Sequence, residues 1–184
     1  MDEDAPAWAH ERAELHPHDP RWAGRAAAER DTLHELLNPW LVDGVEHIGS
    51  TAVPGLSAKP IIDLMASVTD LDTVVTNASD LLAAAGWSYV PKELDNRPWR
   101  RFFVKPDATN QRREAHLHLI QAGHHRWTDQ IRFRDALRND KERAQAYEDL
   151  KRRLAQQSGH DREAYTHGKA AFVASVIGLP GPHA

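Results

Sequence analysis

The chain has 184 residues, and its 23 Lys and Arg against 27 Asp and Glu give a net charge of −4 and a pI near 6.3. That balance speaks against chain-wide affinity for nucleic acid or an anionic membrane, since both need a net positive field. The lack of Cys excludes a disulfide framework, an iron–sulfur centre and a cysteine nucleophile, and no apolar run approaches the ~18 residues of a spanning helix.

In chain order, Met1-Asp2-Glu3-Asp4 is acidic and lacks the order of a signal peptide. Residues 1–14 are expected to pack loosely at the start of one domain covering 1–184, and the location expected is the cytoplasm. Asp19-Pro20 opens a helix in which Trp22, Ala26, Leu33, Leu36 and Leu37 recur at helical spacing, and Asn38-Pro39 stops it. Val45 to Ile48 reads as a short strand running into Gly49-Ser50. Ile61 to Val68, apolar but for Asp63, has the pattern of a central strand. Thr69-Asp70 caps a helix that Gly86 closes. Trp87 to Val90, Arg100 to Lys105 and Glu114 to Gln121 follow as strands. From Trp127 the chain reads as three helices, punctuated at Asn139-Asp140 and at Ser158 to Asp161. This order predicts an α+β (mixed α/β) domain, a mixed sheet flanked by helices with a C-terminal helical layer over it.

The densest run of special residues is His47 to Asp63, HIGSTAVPGLSAKPIID. A glycine at a strand end lets backbone approach a ligand closely, and Ser50 and Thr51 bring hydroxyls beside exposed N–H groups, a donor set suited to phosphate. Asp63 lies among apolar residues, where a charge needs a partner or a metal. The competing reading is that Gly49 and Gly55 merely turn the chain and Asp63 pairs with an arginine.

This loop resembles the signature of the GrpB-like family, within the nucleotidyltransferase superfamily. The resemblance extends from His18-Asp19-Pro20-Arg21-Trp22 through His116-Leu117-His118, Phe133 to Arg138 and Tyr147 to Lys151, ending near Tyr165 to Phe172. It implies a nucleotidyltransferase-like fold, a phosphate-holding turn at Gly49-Ser50 and a metal-binding carboxylate at Asp63. Active transferases of that superfamily carry a second acid two residues on; here that position is Met65, which cannot ligate a hard cation.

Glu114 to Ile120 alternates, so Glu114, His116 and His118 share one sheet face. Two imidazoles with Asp63 from a neighbouring strand make a candidate site for a divalent cation, Mg, Mn or Zn; a half-exposed strand with hydrogen-bonded histidines is the plainer reading. Between Arg97 and Arg113 the chain carries six basic and three aromatic residues, read either as a phosphate-binding rim or as a solvated hairpin. Tyr147/Lys151 and Tyr165/Lys169 each share one helix face.

Two functions follow. One is a metal-assisted nucleotidyl or phosphoryl transferase: Gly49, Ser50, Thr51, Lys59, Arg101, Arg113 and Lys169 hold phosphates, while Asp63, His116 and His118 are catalytic and hold the metal. The other is a noncatalytic nucleotide- or coenzyme-binding or folding-accessory module on the same fold. The expected partner is a nucleotide or other phosphate-bearing small molecule, with a protein partner in the second case; RNA and membrane are disfavoured.

Overall fold

The computed structural model describes residues 6–11, 14–158 and 167–178. The punctuation at 159–161 and Tyr165 lie outside the described residues.

Alternation along the inner strands decides the layering. β1 (Leu41–Ile48), β2 (Ile62–Val68), β3 (Ser88–Val90), β4 (Arg100–Pro106) and β5 (Arg113–Gln121) form one mixed sheet in the order β1-β2-β5-β4-β3. Only β2 and β5 run parallel, with Asp63 beside His116 and Met65 beside His118. Leu64, Ala66 and Val68 of β2 and Leu117 and Leu119 of β5 point to one face. There they meet Trp22, Ala26, Leu33 and Leu37 of α1 (Arg21–Leu37) and Leu71, Val74, Ala78 and Leu82 of α2 (Leu71–Ala84). Asp70 caps α2 by accepting from the Thr73 N–H, a contact worth ~1 kcal/mol.

The opposite face carries Asp63, His116 and His118, and the C-terminal helices cover part of it. Trp127 and Ile131 of α4 (His125–Asn139) close over Ile48, Met65 and Ile120. Phe133 and Leu137 pack with Tyr147 of α5 (Lys141–Ser158), with Phe172 of α6 (Ala170–Ile177) and with Val53 and Leu56 of the loop after β1. The helical layer is therefore a clamp on that loop as much as a cover for the sheet. No described helix is long and apolar enough to cross a membrane.

Two local features differ from expectation. β1 begins at Leu41, four residues early, because a bulge at Gly44 (φ +93°) lets Leu41 ahead of it keep pairing with β2, and Asp43 accepts from the Ser67 hydroxyl. A one-turn helix, α3 (Lys92–Asp95), follows Pro91 and buries Asp95. Among the first described residues, Ala7–His10 form a 3₁₀ turn and Glu11 accepts from Arg113.

Candidate functional site

The bend between β1 and β2 is held from both sides. Gly49 has φ +73° and ψ −172°, a backbone region essentially restricted to glycine, and a Cβ there would lie 2.7 Å from Asp63 Oδ2. The missing side chain is what lets the carboxylate sit against the bend. Thr51 Oγ1 donates to the Ile61 carbonyl (3.3 Å) and lies 3.0 Å from His47 Nε2. Burial lowers the His47 pKa to about 4, with the Asp63 charge opposing, so the neutral ring donates to Thr51. The Thr51 hydroxyl, predicted to hold phosphate, is thus engaged in framing the loop.

From the other side, Arg138 donates to the Ala52 carbonyl (2.8 Å), and Glu148 accepts from both the N–H and the hydroxyl of Ser57. Lys151, only 2% exposed, donates to the Ser57 carbonyl and to Ser50 Oγ (3.2 Å). Its burial, reinforced by Lys169 and Arg152 and countered by Glu148, depresses its pKa to about 8.

Below the bend, Asp63 Oδ1 lies 2.9 Å from His116 Nδ1 and 3.7 Å from His118 Nε2. Burial alone would raise the Asp63 pKa, but the two imidazoles outweigh it and hold the carboxyl well below its usual range. The His118 pKa falls to about 4 through burial and the nearby Arg100 charge. Arg100 donates to His118 Nδ1 (2.5 Å) and, through its other edge, bidentately to the buried Asp95. Its guanidinium also lies over Phe102 (4.1 Å) and Trp99 (5.3 Å), contacts that contribute ~0.5–2 kcal/mol each.

Asp63, His116, His118, Arg100 and Trp99 line a cavity of about 410 Å³ together with Lys59, Arg97, Arg126, Gln130, Lys151 and Lys169. Of the residues predicted to bind phosphate or metal, Gly49, Ser50, Thr51, Lys59, Asp63, His116, His118 and Lys169 all border it. Lys169 feels the Asp63 charge, which opposes the lowering of its pKa by burial.

Arg101 and Arg113 do not border it. Arg101 shares the face of Leu119 and Phe103 and donates to Asp72 of α2 (2.7 and 2.9 Å). Arg113 pairs with Glu11 and lines a separate cavity of about 600 Å³ at the other end of β5, which Lys59 also borders. Because Asp72 is largely exposed, Arg101→Ala is expected to cost about 1 kcal/mol of stability and to leave pyrophosphate affinity unchanged, as calorimetry and thermal melts can check. In their place stand Arg100 and Lys151. Lys151 shares a helix face with Tyr147, a signal visible in the sequence but also typical of a solvated helix. For Arg100 against Arg101 no sequence signal exists: one face of β4 reads Arg-Phe-Val and the other Arg-Phe-Lys.

Whether a divalent cation suits the site can be tested on its donors. Asp63, His116 and His118 each offer one atom, and all lie within 4.8 Å of one another. Ligand atoms ~2.0–2.2 Å from one ion lie at most ~4.4 Å apart, so only a small inward shift lets the three share one. His116 Nε2 is buried with no hydrogen-bond partner among the described residues. One ion with mixed nitrogen and oxygen donors fits. A pair of Mg ions between paired acids does not, because Met65, 1% exposed and packed against Ile48 and Ile120, replaces the second acid.

The chain is 38% identical over 174 residues to a UPF0157 protein of Pseudomonas aeruginosa, covering 91% of this chain and 67% of that one. It is 29% identical over 162 residues to the glutamate-rich protein GrpB of Alkalihalophilus pseudofirmus, covering 87% and 91%. The crystal structure of the conserved protein GrpB from Enterococcus faecalis superposes with a TM-score of 0.76 at 28% identity, over 90% of this chain and 95% of that one. The Cid1 poly(U) polymerase, solved with Mg and 3′-dATP, superposes with a TM-score of 0.50 at 13% identity, over 85% of this chain and 50% of that one. That likeness extends to the fold alone, which is nucleotidyltransferase-like. The GrpB protein family profile matches residues 12–178, and the chain belongs to the GrpB family.

Proposed function

We propose that the protein is a metal-assisted nucleotidyl or phosphoryl transferase that seats nucleotide phosphates against the Gly49–Ser50 bend. The observation that supports this most is the charge layout of one cavity: Lys59, Lys151, Lys169, Arg100 and Arg126 surround a single carboxylate with two imidazoles. Such a set draws in a polyanion and spares one acidic spot at its floor. The Ser50 hydroxyl and the backbone beside Gly49 contact phosphate oxygens at close range. Lys151 and Lys169 neutralise charge on the departing phosphates, Arg126 supplies a planar fork for them, and Arg100 offers the one nitrogen, Nη1, that Asp95 leaves open. Asp63, His116 and His118 hold one divalent cation (Mg, Mn or Zn), which when bound supplies Lewis-acid polarisation of the reacting phosphate.

One observation favours a second reading. With Met65 in place of an acid, and Asp63 already hydrogen-bonded to His116, the pocket suits a noncatalytic nucleotide- or coenzyme-binding module, including one that acts on a protein partner. Calorimetry with ATP, GTP and CTP, each with Mg, Mn or Zn, separates the two. Transfer chemistry expects nucleotide affinity that needs metal and falls at least about tenfold, or 1.4 kcal/mol, in Asp63→Ala. Affinity that ignores metal and survives Asp63→Ala overturns the metal mechanism in favour of the binding module. No nucleotide binding at all overturns both and leaves an interaction role.

A further inference from the structure

We infer that Arg100 is a positioning residue that makes metal binding at His118 depend on phosphate binding in the same cavity. This rests on the proposed reading of the site as a metal and phosphate pocket and goes beyond it by coupling the two ligands.

The inference comes from the valences of one imidazole. A neutral imidazole has one N–H and one bare nitrogen. Arg100 has no acceptor to offer, so its donation to His118 Nδ1 makes that nitrogen the bare one and places the proton on Nε2. Nε2 is the nitrogen that faces Asp63 Oδ1. It is also the atom His118 would contribute to an ion, and a protonated nitrogen cannot ligate. While Arg100 holds Nδ1, His118 is therefore excluded from the metal set.

The contact is built rather than incidental. Asp95, buried itself, grips the far edge of the guanidinium through Nε and Nη2, leaving Nη1 as the nitrogen aimed at His118. Phe102 and Trp99 hold the guanidinium over the site. Arg100 borders the cavity with Arg126, Lys151 and Lys169. A phosphate oxygen entering there is a stronger acceptor for Nη1 than a neutral imidazole, because both partners are charged. Once Nη1 turns to the anion, the His118 proton can move to Nδ1, and Nε2 becomes a ligand. Asp95 keeps its grip throughout, so no buried charge is left unpaired.

By linkage, an anion that releases His118 strengthens metal binding by some factor, and metal strengthens anion binding by the same factor. Sulfate serves as a tetrahedral probe, and Co²⁺ serves as the metal because its visible absorption reports the donor set. In the free wild type, nitrogen chemical shifts of His118 are expected to show the Nε2–H form, with the Nδ1–H form rising on adding sulfate. Co²⁺ should bind on the order of tenfold tighter in saturating sulfate, the low end of typical couplings. The double substitution Asp95→Asn with Arg100→Gln removes both buried charges together. It should bind Co²⁺ without sulfate as tightly as wild type does with it, and lose the sulfate enhancement. Arg100→Lys, which keeps a charge for Asp95 but not the fork, is a second variant with the same expectation. An Nδ1–H His118 in the free protein overturns the inference. So does a Co²⁺ affinity that is the same with and without sulfate and in all variants, an outcome that leaves the metal site itself standing. Absence of Co²⁺ binding to every variant under every condition overturns the metal reading and the coupling with it.

Discussion

Gly49→Ala is expected to lose about 3 kcal/mol or more of stability and to abolish anion binding. Two costs add. The backbone conformation at φ +73° and ψ −172° costs a non-glycine residue ~1–3 kcal/mol. The new methyl would also meet Asp63 Oδ2 at 2.7 Å, a separation that forces either the bend or the carboxylate to move. The bend is tied to α4 and α5 through Ala52, Ser57 and Ser50. The carboxylate is tied to His116. Neither can shift without breaking those contacts, so the substitution damages site and fold together. For a chain of this length a loss of 3 kcal/mol lowers the melting temperature by roughly 6–12 °C. Thermal melts and pyrophosphate calorimetry on the variant check it; an unchanged melting temperature with intact anion binding would show that Asp63 does not pack against the bend.

Lys151→Met is expected to cost little stability at neutral pH and at least tenfold in polyphosphate affinity. The sign follows from the lowered pKa. In the unfolded chain this lysine titrates near its ordinary 10.5, and in the folded protein near about 8. Below pH 8 it is charged in both states, and the fold carries the full penalty of a buried ammonium. Between pH 8 and 10.5 the folded state releases its proton first, so stability rises with pH by about 3 kcal/mol in total. Methionine fills similar space and removes that penalty, while leaving the Ser57 carbonyl and Ser50 Oγ without a donor, a loss of ~1–3 kcal/mol. The two terms nearly cancel at pH 7, and the alkaline rise in stability disappears in the variant. Anion affinity falls because the buried cation that donates to Ser50 Oγ is gone. Denaturant unfolding from pH 7 to 10.5, with pyrophosphate titrations, checks both; a variant that keeps the alkaline rise assigns it to another group. A charge retained in a buried position at a cost to the fold is the pattern expected of a ligand-binding group.

Much of the layout could be read from residue order. The period-two pattern of Glu114 to Ile120 put His116 and His118 on one face, and β5 carries them there, next to Asp63 on parallel β2. Pro39, Pro91 and Gly86 fall at element ends, where local backbone chemistry stops helices and strands. Arg101 shows where local reading ends. Either arginine of the Arg100-Arg101 pair satisfies the same alternation, and only pairing of Phe102 with His118 and of Arg101 with Leu119 assigns Arg100 to the cavity. Arg113 likewise sits in a basic stretch of sequence, but Glu11, 102 residues away, holds it at the other end of the strand.

Residue types and spacing by themselves determined the mixed α+β class, the glycine bend, the lone acid and the histidine face, because each depends on neighbours within a few positions along one chain. The tertiary structure alone decided which cations surround that acid and which hydroxyls are already engaged. Strand register and helix docking bring Lys151, Arg100 and Lys169 to the bend from distant segments, and a side chain's face and partner at such separations follow from packing, which no short window of sequence encodes.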